Sequence, residues 1–200
     1  MKVLSVSLVS TGVTTKDQIL QFGMVLFDTN GDIAIKDAPS LAGYVLQPRV
    51  EGAPATLIEC AEALRVISGI LPPAPDHIVT DMKQLSGGVY LGEDGEIAGT
   101  NNPVIDFIYK NVQLTRTGDR PILLGVDPAR MIVPLLPPSI LSILQPATID
   151  LSSMCIVFDD VVPPSIITCL TRSAVEDVET MSPVQKARAQ LVTFYERAGV

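Results

Sequence analysis

Apolar positions near the start of the chain fall into short, nearly continuous runs. "VLSVSLV", residues 3–9, reads as a strand buried on both faces. Residues 18–27, with Ile19, Val25, Leu26 and Phe27, predict a partner strand. "FDTNGDI" predicts a hairpin turn, because Asn30-Gly31 can supply the positive φ values that tight hairpins need. "IAIKDAPSLAGYVLQP" predicts a third, irregular strand ending at Pro48. The chain is therefore expected to open with a three-stranded antiparallel meander.

Beyond the meander the spacing turns helical. From Pro54 to Ser68 the residues Leu57, Cys60, Ala61, Leu64 and Ile67 share one face, and Gly69 closes the end. "ILPPAPDH" reads as a Pro-rich linker, which makes His77 a structural or solvated loop histidine outside any motif. A surface hairpin insertion is expected around 78–100, turning at Glu93-Asp94-Gly95. Ile105, Ile108, Tyr109 and Val112 predict a helix behind Asn102-Pro103. "RPILLGVD" is a short strand of the parallel type, followed by short helices broken by prolines, and "ATIDLSSMCIVF" opens on a further strand. The last segment, from Ser173, predicts helix interrupted near Ser182-Pro183. Antiparallel strands followed by alternating helices and strands predict one α/β domain over residues 1–200. There is no internal repeat.

Composition narrows the setting. Apolar residues make up 47% and charged residues 18%, with mean hydropathy +0.37. No apolar run reaches the roughly 18 residues of a membrane span, so no membrane partner is expected. "MKVLSVSLVSTG" reads as a core strand and not as a signal peptide, because a turn and a matching strand follow it. Cys60, Cys155 and Cys169 are odd in number and widely spaced, which fits buried thiols in a reducing cytoplasm. The net charge of −8, without a basic block, disfavours nucleic acid as a partner, since phosphate binding needs clustered Lys and Arg.

The element order resembles the DEDD 3′–5′ exonuclease superfamily, in the branch of oligoribonuclease and the phage exonucleases. "SLVSTGVTTKDQILQFGMVLFD" is similar to that family's first two strands, and "VEGAPATLIECAEALR" to the segment opening its first helix. "PILLGVDPARMIVPLL", "ATIDLSS" and "TRSAVEDVET" resemble the later motifs. The resemblance implies a ribonuclease H-like fold. Its mixed five-stranded sheet would have three antiparallel strands and then two parallel, in the order 3-2-1-4-5. It also implies a phage-like source, with the host cytoplasm as location.

Enzymes of this family hold two divalent cations about 4 Å apart, one activating water and one steadying the leaving oxygen. Hard cations such as Mg²⁺ take oxygen ligands, largely carboxylates. Carried over by the resemblance, the two first-strand acids fall on Ser7 and Val9, the middle acid on Met131 and the general base on Arg172. Only Asp177 keeps its acid, and it also reads as an exposed helix acid paired with Arg172. Asp127, Asp150 and Asp177 are the candidates for a rearranged metal site, Asp127 lying about one helical turn before Met131. Asp17, Asp28, Asp159 and Asp160 are placed less well. No acid precedes Asp17, so nothing restores the pair on the first strand. Ser7 and Ser10 lack a base that would make them nucleophiles.

The expected protein is thus a catalytically inactive exonuclease-like module, without a cofactor, that binds protein or associates with itself. Its old cleft would be neutral and partly closed, since carboxylates without metals repel one another. Three rivals stand beside it. A working exonuclease would use Mg²⁺ or Mn²⁺ at Asp127, Asp150 and Asp177. A non-cutting single-strand binder would rely on Lys2, Arg116, Arg120, Arg130 and Arg172. An assembly protein would share only the general α/β architecture.

Overall fold

Alternation along the first strand sets the layers. The computed structural model describes residues 1–14, 16–46, 58–91, 97–112, 120–152 and 181–198. β1 (Lys2–Ser10) turns Val3, Ser5, Ser7 and Val9 to one face and Leu4, Val6 and Leu8 to the other. It pairs antiparallel with β2 (Ile19–Asp28), which pairs antiparallel with β3 (Ser40–Leu46). Ser10 pairs with Ile19 and Val9 with Gln21, so Leu20 is the extra residue of a β-bulge. The bulge sends Leu20 to the side of Val9 while Ile19 joins the cluster of Leu8 on the other face.

The connection from β2 to β3 is not the expected tight hairpin. It spans residues 29–39 and includes a 3₁₀ turn at Ile35–Asp37. Among the described residues only Gly69 and Asp127 have positive φ, so Asn30-Gly31 turns without the left-handed backbone.

α1 (Ile58–Ile67) lies against the face of Val9 through Cys60, Ala63 and Val66. Gly69, at φ 76°, ends it: the Gly69 and Ile70 amides bond back to Val66 and Arg65. The expected start at Pro54 lies outside the described residues.

β4 (His77–Asp81) corrects the five-strand expectation. It runs parallel to β3 at the sheet edge, so His77 opens a strand and does not sit in a loop. Residues 78–81 therefore belong to the main sheet. Asp81 caps α2 (Met82–Leu85) through a reciprocal pair of bonds with Gln84. The smaller ribbon is confined to β5 (Val89–Leu91) and β6 (Ile97–Thr100), and its turn lies outside the described residues.

Asn102 caps α3 (Pro103–Asn111), with Pro103 at the first helical position. β7 (Ile122–Gly125) pairs parallel with β1, and β8 (Thr148–Asp150) parallel with β7. Between them lie α4 (Pro128–Met131) and α5 (Pro138–Leu141). Last is α6 (Pro183–Ala198). Ser182-Pro183 is its start, where Ser182 and Gln185 form a reciprocal cap. The expected helical stretch before it lies outside the described residues.

Among the described residues the result is an α/β structure with a mixed six-stranded sheet in the order β4-β3-β2-β1-β7-β8, in which only β2 runs against the rest. α2, α3 and α5 cover the face of Leu4 and Val6; α1 and α6 cover the face of Val3 and Val9.

Candidate functional site

Topology singles out one crevice. From β1 the chain departs towards β2, on one side, and from β7 towards β8, on the other, although β1 and β7 are parallel neighbours. Their carboxyl ends form a topological switch point, where open α/β sheets place ligands. The end of β1 carries Ser7 and Val9, and the loop after β7 carries Asp127.

Neither β1 position offers a carboxylate to a dication. Val9 is 6% exposed and packs with Leu20, Tyr44 and Cys60. Ser7 is half-buried opposite Gly23 of β2. A Cβ on Gly23 would lie 2.2 Å from the Pro183 carbonyl carbon and the Val184 nitrogen, so the start of α6 rests directly on the sheet beside Ser7. One step back along the same face, the buried Ser5 hydroxyl donates to Gln190 Oε1 of α6 at 2.9 Å. Here the helix and the strand are joined by a neutral hydrogen bond.

The middle motif divides in two. Met131 packs against the cluster of Leu4, Val6 and Ile132, the face opposite Ser7 and Val9, so it is not brought to them. Its amide bonds to the Asp127 carbonyl at 2.8 Å, which makes the spacing between them one helical turn. Asp127 has φ 44°, an uncommon conformation for a residue with a side chain. Its amide donates to Asp150 Oδ1 at 2.9 Å. The same oxygen accepts from the Ser152 amide and hydroxyl, at 2.9 and 2.7 Å. The structure thus brings Asp127 and Asp150 together, with Asp150 as the brace that joins the ends of β7 and β8. Sequence reasoning found both acids but missed the brace; the Asp-Leu-Ser-Ser stretch after a strand was its local signal.

Remaining candidates are spread widely. Asp17 accepts bonds from Thr11 and Thr14, and the Thr14 hydroxyl and amide, with a smaller part from Thr11, hold its carboxyl below the usual range against the opposing effect of desolvation. Ser10 donates to the Gly12 carbonyl. Asp28 lies 3.6 Å from the Met1 ammonium at the far end of the sheet. Lys2 and Arg120 flank the amino ends of β1 and β7, whereas Arg130 sits in α4 beyond the carboxyl end, so these three do not line one groove. His77 is three strands from β1, with its ring 5.2 Å from that of Tyr44. Arg116, Asp159, Asp160, Arg172 and Asp177, with Cys155 and Cys169, lie outside the described residues; Cys60 is buried, with its Sγ 3.6 Å from the Ser10 carbonyl.

Among the described residues no three His, Cys, Asp or Glu side chains gather as a metal group, and no helix is long and apolar enough to cross a membrane. The chain matches no model of a known protein family and no curated protein.

Proposed function

We propose that this protein is an exonuclease-type scaffold of the ribonuclease H-like kind that does not cut, and that acts by binding protein, either a partner or a second copy. The single observation carrying the reading is the character of β1 at the switch point. Val9 is sealed among apolar side chains, and Ser7 lies beside the docked start of α6. A hydroxyl and an isopropyl group cannot offset the charge of two dications. Support for the fold comes from the order β3-β2-β1-β7-β8 with β2 reversed, extended by one edge strand. Support for a binding role comes from Leu46 and Val79, 44% and 46% exposed on the same face of β3 and β4.

One observation favours a second reading. The bond between the Asp127 amide and Asp150 places two acids at the switch point, where they could join Asp177 around Mg²⁺ or Mn²⁺. Short single-stranded RNA and DNA incubated with the purified protein and either cation separate the two. The scaffold reading expects strands of unchanged length and a concentration-dependent mass in light scattering, or a stoichiometric complex with a partner. Metal-dependent shortening that Asp177→Ala abolishes would replace it with the second reading.

A further inference from the structure

We infer that Asn30 is a modification site: the exposed Asn30-Gly31 step in the β2–β3 connection converts without an enzyme to aspartate and isoaspartate. The reaction needs a backbone amide nitrogen that can reach the side-chain carbon of the preceding asparagine. The Gly31 nitrogen attacks Asn30 Cγ, its proton goes to the leaving amide, and ammonia departs to leave a five-membered imide. Water then adds to one of the two imide carbonyls. Addition at Cγ gives aspartate; addition at the main-chain carbonyl gives isoaspartate, with one extra methylene in the backbone.

The four asparagines of the chain make an internal comparison. Asn102 is fully buried and precedes Pro103, whose nitrogen has no hydrogen and cannot close the imide. Asn111 donates through Nδ2 to the Phe107 carbonyl at 2.8 Å. It precedes the branched, buried Val112, whose amide is bonded to Ile108 at 2.8 Å. Asn101 is exposed, but the amide after it donates to Thr100 Oγ1 at 3.0 Å and belongs to buried Asn102. Asn30 and Gly31 are both exposed, and Gly31 has no side chain to obstruct the attack. What restrains the step is the turn itself: Gly31 donates to the Asp28 carbonyl and Asn30 to Asp28 Oδ1, both at 3.0 Å. Those bonds must open first, so the folded protein reacts more slowly than the free peptide.

The product places a new carboxylate between Asp28 and Asp32 in a protein already at −8. It also alters the turn that holds the Met1 ammonium against Thr29 Oγ1 at 2.9 Å. This site is independent of whether the scaffold cuts nucleic acid.

The test incubates the full folded chain at mildly alkaline pH and follows it by anion exchange and peptide mapping. Trypsin, cutting after Lys16 and Lys36, releases a peptide in which Asn30 is the only asparagine. The expected result is a later-eluting species whose gain of a single mass unit maps to residue 30. Isoaspartyl methyltransferase should label it, and Asn30→Gln should remove it. Conversion at residue 30 should run several-fold ahead of Asn101 and Asn111. An unchanged residue 30 in protein that stays folded by circular dichroism, or faster conversion at Asn101 or Asn111, would overturn the inference.

Discussion

Asn102 uses both ends of its amide. Nδ2 donates to the carbonyls of Leu85 and Gly87, and Oδ1 accepts from the amides of Val104 and Ile105. One fully buried side chain therefore ties the turn after α2 to the start of α3. Asn102→Ala should lose about 3 kcal/mol, combining a lost helix cap with carbonyls and amides left bare. Urea unfolding would read this as a lower midpoint at unchanged slope. His77 makes the opposite case, since neither ring nitrogen has a hydrogen-bond partner among the described residues. Burial pushes its pKa below the ordinary 6.5, while Asp76 and Glu62 pull weakly the other way. Because the neutral ring is the form the fold accepts, the contribution is intact above the unfolded value and is lost as pH falls below it. Urea midpoints should therefore drop between pH 7.5 and 5.5, and His77→Phe should flatten that drop. An equal drop in the variant would assign it to other groups.

At the scale of elements, the docking of α6 depends on an absence. Gly23 lets the start of the helix touch the sheet, and any side chain there meets backbone atoms of Pro183 and Val184. Gly23→Ala should cost at least about 2 kcal/mol by overpacking. Amide exchange should rise first in residues 183–198, and protection of α6 left unchanged by the substitution would contradict the docking. Elements with long, strong patterns were legible in the sequence: β1, β2, α3 and the cap-and-proline start of α3 all follow from their residues. β4 was not, because "HIVTD" is short, sits behind three prolines and acquires its role only by pairing with β3. The hairpin expected at Asn30-Gly31 failed for a related reason. Asn-Gly permits a tight turn, but the chain needed room for the 3₁₀ turn that Arg188 of α6 holds through the carbonyls of Ile35, Lys36 and Ala38. At the site, the faces of Ser7 and Val9 could be read from strand alternation. Of the brace at Asp150 only the local Asp-Leu-Ser-Ser half could be read, since the other half needs two strand ends brought together from 23 residues apart.

For the whole molecule, the sheet creates a switch-point crevice in which the two β1 positions, Ser7 and Val9, carry no charge. The basic candidates among the described residues are split between opposite ends of the sheet, so those residues form no continuous positive track for a single strand. The acids near the switch point serve turns and strand ends: Asp17 closes the β1–β2 turn and Asp150 fastens β8 to β7. On the function proposed above, the protein would keep this architecture without metals. Anomalous diffraction from crystals soaked in manganese examines that claim at its origin. No ordered ion is expected between the carboxyl ends of β1 and β7. Two occupied manganese positions beside Ser7, Val9 and Asp150 would contradict it.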